Sequence, residues 1–152
     1  MQLYYIQGDE MQSNIEVLNS MLKTTQMGQT GIRAVMDYAI RPELKKALAS
    51  QLREYDSIEQ EVYSIAASRG WDIKEIDPIA KAIAKHYARA TLRFGRVDSK
   101  IAAMMIDGNT KGMIKALKSQ HHYANTDKSV TDLLQKLLDC EKANIAEMQE
   151  YV

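Results

Sequence analysis

The chain has 152 residues, 45% hydrophobic and 26% charged, with 20 basic side chains balanced by 20 acidic ones. That is the balance of one ordinary globular domain, and a formal net charge of zero removes any global argument for nucleic acid or a membrane surface as partner. A single cysteine excludes an intrachain disulfide and points to a reducing, cytoplasmic setting, no apolar run nears the ~20 residues of a membrane span, and two prolines with nine methionines favour helices over a sandwich or barrel.

Residues 1–12 read as an N-terminal tail with a short apolar patch, Leu3-Tyr4-Tyr5-Ile6, and without the basic start and long apolar core of a secretory signal. A single domain then spans 13–152. Ser13 followed by Glu16 looks like a capping box opening the first helix. Its stripe is Ile15, Leu18, Leu22, Thr25, Gln29, Ile32 and Met36, polar at its middle. Arg41-Pro42-Glu43 ends one helix and starts the next, because proline fits a first helical turn and not an interior. The second helix runs from Pro42 to Arg69, with Gly70 as a left-handed C-cap and Trp71 folding back onto the end of the domain.

Asp77-Pro78 is another helix start. A crossover helix over 78–95 carries the stripe Ile79, Ile83, Tyr87, Ala90 and Phe94, and Asp98-Ser99 reads as the cap of a further helix reaching Tyr123. That helix buries Ala102, Met105, Ile106, Asn109, Met113 and Ala116 by period. Asn125-Thr126-Asp127 forms a turn and cap before the last helix, whose stripe is Val130, Leu134, Leu137, Leu138, Ile145 and Met148. Glu141 stands in that stripe where the period calls for an apolar residue. A carboxylate there must find a partner, shift its pKa or bend out to solvent.

A faint repeat runs through the chain. Setting Leu22 on Ile106 places Thr25 on Asn109 and Gly28 on Gly112, and setting Leu44 on Val130 places Tyr55 on Glu141 and Val62 on Met148. Two helix hairpins joined by a long connection make an all-α, ferritin-like four-helix bundle with a short crossover helix.

Met27-Gly28, Pro42-Glu43-Leu44-Lys45, Arg69-Gly70-Trp71 and the run Ile101 to Asn109 resemble segments of small bacterial ferritin-like four-helix proteins, including the spore coat protein F-like group of Firmicutes. The resemblance spans Ser13–Val152. It implies a non-enzymatic structural or interaction protein, cytoplasmic or spore-associated; the Met-rich amphipathic stripes themselves point to self-association or another protein as partner. Met104, Ile114 and Tyr151, off the main stripes, are candidates for such a contact.

Ferritin-like bundles often carry two metals, held by Glu from two helices and Glu-x-x-His from the other two. This chain has Glu54-x-x-Ser57 and Glu141-x-x-Asn144 instead, so no metal or other cofactor is expected. What remains is a core polar layer of Gln29, Gln51, Tyr55, Asn109, Glu141 and Asn144, with Thr25 beside it. It is either a hydrogen-bonded layer that fixes helix register or a cavity for a ligand or single ion. The alternative function is therefore a metal- or small-ligand-binding protein with a degenerate core site. Four glycines inside helices, Gly28, Gly31, Gly108 and Gly112, each cost roughly 1 kcal/mol against alanine; close helix approach is the preferred reason, room for a ligand or a kink the other.

Lys81, Lys85, Arg89, Arg93, Arg96 and Lys100 recur at nearly four-residue steps, with no acid from Pro78 to Val97. This stripe is a solvated face, a partner for the acidic patch Glu54, Asp56, Glu59 and Glu61, or an anion-binding surface. Sparse aromatic interleaving argues against single-stranded nucleic acid. His86, at the margin of the crossover helix's apolar stripe, reads as a packed or exposed structural residue, and His121 and His122 as residues favoured at a helix C-terminus.

Overall fold

The computed structural model describes residues 2–75, 79–123 and 127–152, with side chains from Glu10 onward. Five α-helices follow one another: α1 (Gln2–Val35), α2 (Pro42–Arg69), α3 (Ile79–Thr91), α4 (Val97–His122) and α5 (Lys128–Met148). Single 3-10 turns, Met36–Tyr38 and Gln149–Tyr151, close α1 and α5. The described residues are all-α. The four long helices form two hairpins, α1 with α2 and α4 with α5, and the hairpins meet through α1 on α4 and α2 on α5. Between them lies one core, in which Leu18, Leu22, Ile32, Leu44, Leu48, Ile58, Ile101 and Leu137 are fully buried. Among the described residues, no helix is long and apolar enough to cross a membrane.

Element ends follow local chemistry where the relevant partners are close in sequence. Proline opens α2, and Gly70 ends it at φ 67°, where a side chain on Cα would be strained. Trp71 packs against the core from just beyond that cap. The Asp127 carboxylate accepts from the Ser129 amide at the start of α5 and pairs with Arg69 at 2.9 Å, joining that end of α2 to α5.

Other boundaries differ from expectation. Ser13 lies well inside α1, which already runs from residue 2, so residues 2–12 supply its first turns rather than a tail apart from it. A Ser-x-x-Glu pair marks a helix start only where the preceding backbone leaves the helix, and here it does not. Asp98-Ser99 does not cap α4. Arg96, left-handed at φ 52°, stands at that end, and α4 begins at Val97. The Asp98 carboxylate instead accepts from the backbone N–H groups of Ile40 and Arg41, at 2.8 and 3.0 Å, and holds the entry to α2. The Asp77-Pro78 start and the Asn125-Thr126 part of the last turn lie outside the described residues.

The largest correction concerns α3. It ends at Thr91 rather than 95, and its large apolar residues face away from the core. The side turned inward carries Ala84, Ala88 and, just beyond the helix, Leu92, packed on α1. Small residues let the two helices approach closely, so the alanine side wins the contact and the isoleucine side is left outside.

Candidate functional site

The polar layer expected from sequence divides into three. Gln29, from α1, donates to Asp56 of α2 at 2.8 Å and belongs to the surface side of that hairpin. Gln51 donates to Glu147 at 2.8 Å, tying α2 to α5. Asn144 donates to Cys140 Sγ at 3.5 Å, one turn along its own helix. Gln29 and Gln51 do not join the rest, because each gives its amide N–H to a carboxylate outside the cluster, whereas buried Asn144 also reaches the Tyr55 hydroxyl. Thr25 is buried, and its hydroxyl has no hydrogen-bond partner.

Tyr55, Asn109 and Glu141 do converge. They come from α2, α4 and α5, and all three are buried. The Tyr55 hydroxyl lies 2.5 Å from Glu141 Oε1 and 2.9 Å from the Asn109 amide oxygen position. A phenol has one proton. With Glu141 ionised, that proton goes to the closer carboxylate, and the Asn109 amide must turn to donate its N–H to Tyr55 Oη. With Glu141 protonated, the chain reverses: carboxyl to Tyr55, Tyr55 to the Asn109 carbonyl. Both arrangements leave one end of the Asn109 amide and Glu141 Oε2 without a partner.

The energetics follow from burial. Glu141 is 1% exposed, and burial pushes its carboxyl up to about 7 against the opposing pull of the Tyr55 hydrogen bond. Burial likewise pushes the Tyr55 hydroxyl far above the ordinary phenol range, with the Glu141 charge adding to it and the Asn144 amide opposing it. The Cys140 thiol is raised by burial and by donating to Glu54 at 3.1 Å. It is held as a thiol, the unreactive form.

Two glycines make this cluster sterically feasible. A Cβ on Gly28 would fall 2.6 Å from the Tyr55 ring, and one on Gly112 would fall 3.0 Å from Glu141 Oε2 and 2.9 Å from Thr24 Cγ2. The faint repeat sets Gly28 on Gly112 and Tyr55 on Glu141, and here each glycine of the aligned pair gives way to the aligned partner of its own hairpin. Gly31 and Gly108 have nothing within 4 Å of where a Cβ would stand. Close approach of helix backbones, the expected reason for the four, is therefore not what they serve. Two make room for side chains and two border open space.

That space is a cavity of about 420 Å³ between α1 and α4. Tyr55, Asn109 and Glu141 lie at its floor, Met27, Met104, Met105 and Ile114 line it, and Lys111, Lys115 and Lys118 stand at its exposed rim. Lys111 is engaged by Asp107 at 2.8 Å. Lys115 is held below the usual amine range by partial burial, with Lys23 adding to the effect. The glycine positions were the sequence signal for this cavity. Met104 and Ile114, candidates for self-association, also line this cavity, and Ile114 is exposed. Among the described residues, no three His, Cys, Asp or Glu side chains group closely enough to hold a metal ion.

The basic stripe sits on α3, apart from the cavity. Lys81, Lys85, Arg89, Arg93 and Arg96 are exposed and form no ion pair among the described residues, so the acidic patch of this chain does not take them up. Asp56 pairs with Arg33 and Glu61 with Lys136 instead. Lys100 leaves the stripe: its ammonium donates to the carbonyls of Thr91 and Phe94 and closes the C-terminal end of α3. Beside the basic side run Ile79, Ile83 and Tyr87, which remain 64%, 63% and 58% exposed, and Phe94 beyond the helix is 76% exposed. His86, His121 and His122 are exposed.

No protein-family model matches the chain, and no curated protein matches it. Among solved structures, the fold is similar to that of YcfI from Rhodopseudomonas palustris, provisionally named a structural protein. The TM-score is 0.68 at 14% identity, over 88% of this chain and 90% of that one. At that identity the likeness concerns fold alone.

Proposed function

We propose that this protein is a non-enzymatic structural protein that assembles by docking α3 onto the acidic surface of a second copy. The observation that carries this reading is the outward-facing row of Ile79, Ile83 and Tyr87, on a helix whose exposed Lys85 and Arg89 form no ion pair among the described residues. At 100° per residue, the three apolar side chains fall within about 80° of arc, and Arg89 and Lys85 follow at about 80° and 120° beyond its Ile79 edge. Contiguous exposed apolar groups with a charged rim mark an interaction surface.

Charge selects the occupant. Residues 79–96 carry five basic and no acidic side chains, so the remainder of the chain carries five more acids than bases. Two copies of α3 facing each other across a two-fold axis would set like charges together. One α3 against the remainder of another molecule sets opposite charges together, a head-to-tail contact that extends into rings or filaments.

The two hairpins joined by the connection that carries α3 support a ferritin-like reading of the fold. Spore association remains the setting that the spore coat protein F-like resemblance implies. The provisional structural-protein name of YcfI agrees with an assembly role. The Cys140 thiol, raised by burial and bonded to Glu54, supports a non-enzymatic reading.

Sedimentation velocity tests the proposal. Native protein should form species larger than a monomer at low salt and dissociate as salt screens the contact. Ile83→Glu should remove roughly 1–2 kcal/mol of apolar burial, about 5- to 30-fold in association, and the pair Lys85→Glu with Arg89→Glu should leave monomers. A monomer under all conditions refutes assembly. Binding of α3 to phosphatidylglycerol vesicles without self-association would reassign the face to lipid.

A further inference from the structure

We propose that the cavity between α1 and α4 is a binding site for a small monoamine with an apolar body, its ammonium group held by Glu141 Oε2. Three observations converge on this class of ligand, and none depends on the assembly role of α3.

The first is the unpartnered oxygen. Glu141 is 1% exposed, one of its oxygens is satisfied by Tyr55, and the other, which has no partner, belongs to a residue lining the cavity. A buried carboxylate oxygen left without a donor is costly. A ligand that brings an N–H removes that cost, and a cationic one removes more of it.

The second is the neighbouring amide. In the structure Asn109 Oδ1 faces the Tyr55 hydroxyl and Nδ2 has no partner. The single Tyr55 proton cannot serve both acceptors, so when the ionised carboxylate takes it the amide turns to donate to Tyr55 and presents its carbonyl oxygen instead. That turned floor, with two acceptors, suits an ammonium, which has three donors, and does not suit a carboxylate or phosphate. The same floor does not suit a metal ion, which would find one carboxylate where several oxygen or nitrogen ligands are needed.

The third is the wall. Met27, Met104, Met105 and Ile114 offer apolar surface to the rest of the molecule, and about 420 Å³ is within the range of small-ligand sites. Methionine side chains adapt to irregular apolar shapes. Gly31 and Gly108 keep the space open at the expense of helix propensity. The lysine rim opposes a second positive charge, which separates a monoamine from a diamine of the same length.

Titration calorimetry at about pH 8, where Glu141 is largely ionised and an alkylamine is still charged, distinguishes the outcomes. The probes are n-hexylamine, 1-hexanol, hexanoate and hexane-1,6-diamine, against native protein, Glu141→Gln and Gly108→Leu. Native protein should bind hexylamine about tenfold or more tightly than the alcohol or the diamine, and hexanoate should not bind, because the charge-assisted bond is the discriminating contact. Glu141→Gln should weaken hexylamine by about tenfold or more and leave the alcohol unchanged. Gly108→Leu, which keeps the carboxylate and fills the cavity, should abolish binding of every probe while circular dichroism shows the same helix content. Equal affinity for hexylamine and hexanol would overturn recognition of the ammonium. So would undiminished binding by Glu141→Gln, or no binding by folded native protein at about 10 mM probe.

Discussion

Replacing Glu141 by glutamine should make the pH dependence of folding stability shallower, and the size of the change can be worked out. In the unfolded chain this carboxyl titrates near 4.5, while burial holds it at about 7 in the folded protein. Between those values the folded state binds the proton and the unfolded state does not, so stability falls as pH rises through the window. Stability from this group is fully present below about 4.5 and lost above about 7. From pH 5 to pH 8.5 the native protein should lose roughly 2.5 kcal/mol through this one residue. Glu141→Gln keeps an acceptor for the Tyr55 hydroxyl and has nothing to titrate. Its stability should therefore vary less over the same range, and at pH 8.5 it should exceed the native value, less the cost of an amide N–H left unpaired in the cavity. Urea unfolding by circular dichroism at four or five pH values, without amines in the buffer, measures this directly. Parallel curves for the two proteins would mean that Glu141 reaches solvent and that the energetic basis of the site is wrong.

The glycines give a pair of opposite outcomes from one chemical change. Gly108→Ala should stabilise by about 0.5–1 kcal/mol, since its Cβ meets nothing and alanine is the better helix former. Gly28→Ala should destabilise by roughly 2–3 kcal/mol, because its Cβ would enter the Tyr55 ring; thermal melts of both decide whether the glycines serve side-chain space. Asp127→Ala removes the α5 cap and the Arg69 pair together and should cost roughly 1–2 kcal/mol in urea titrations. Asp98→Ala frees the amides of Ile40 and Arg41, and should cost about 0.5–2 kcal/mol, with faster hydrogen exchange at those two amides. An unchanged exchange rate there would show that the contact is not held in solution.

Several features were legible in the chain because their causes are local. Proline at position 42 and glycine at position 70 restrict backbone angles wherever they occur, and α2 runs between them as expected. Asp127 caps the adjacent turn for the same reason. The apolar period of α5 placed Glu141 inside, since a helix that buries Leu137, Leu138 and Met148 must also bury the residue between them on that face. The glycine spacing and the alignment of Tyr55 with Glu141 pointed to side chains that the structure brings into contact, though not to the contacts themselves.

What only the tertiary structure decided is which surfaces meet. Periodicity shows that α3 has an apolar side, but Ala84 and Ala88 fit against α1 more closely than Ile79 and Ile83 can, and the larger side chains were left outside. Asp98 carries the composition of a cap, and its actual partners lie 57 and 58 positions away. Gln29 and Gln51 share the polar character of Asn109, but each gives its amide N–H to a carboxylate outside the cluster, Asp56 and Glu147. A sequence determines the faces its helices can bury and the turns they can make. The choice among those faces depends on the shape of the opposing helix, and that choice left a carboxylate oxygen without a partner beside an apolar cavity.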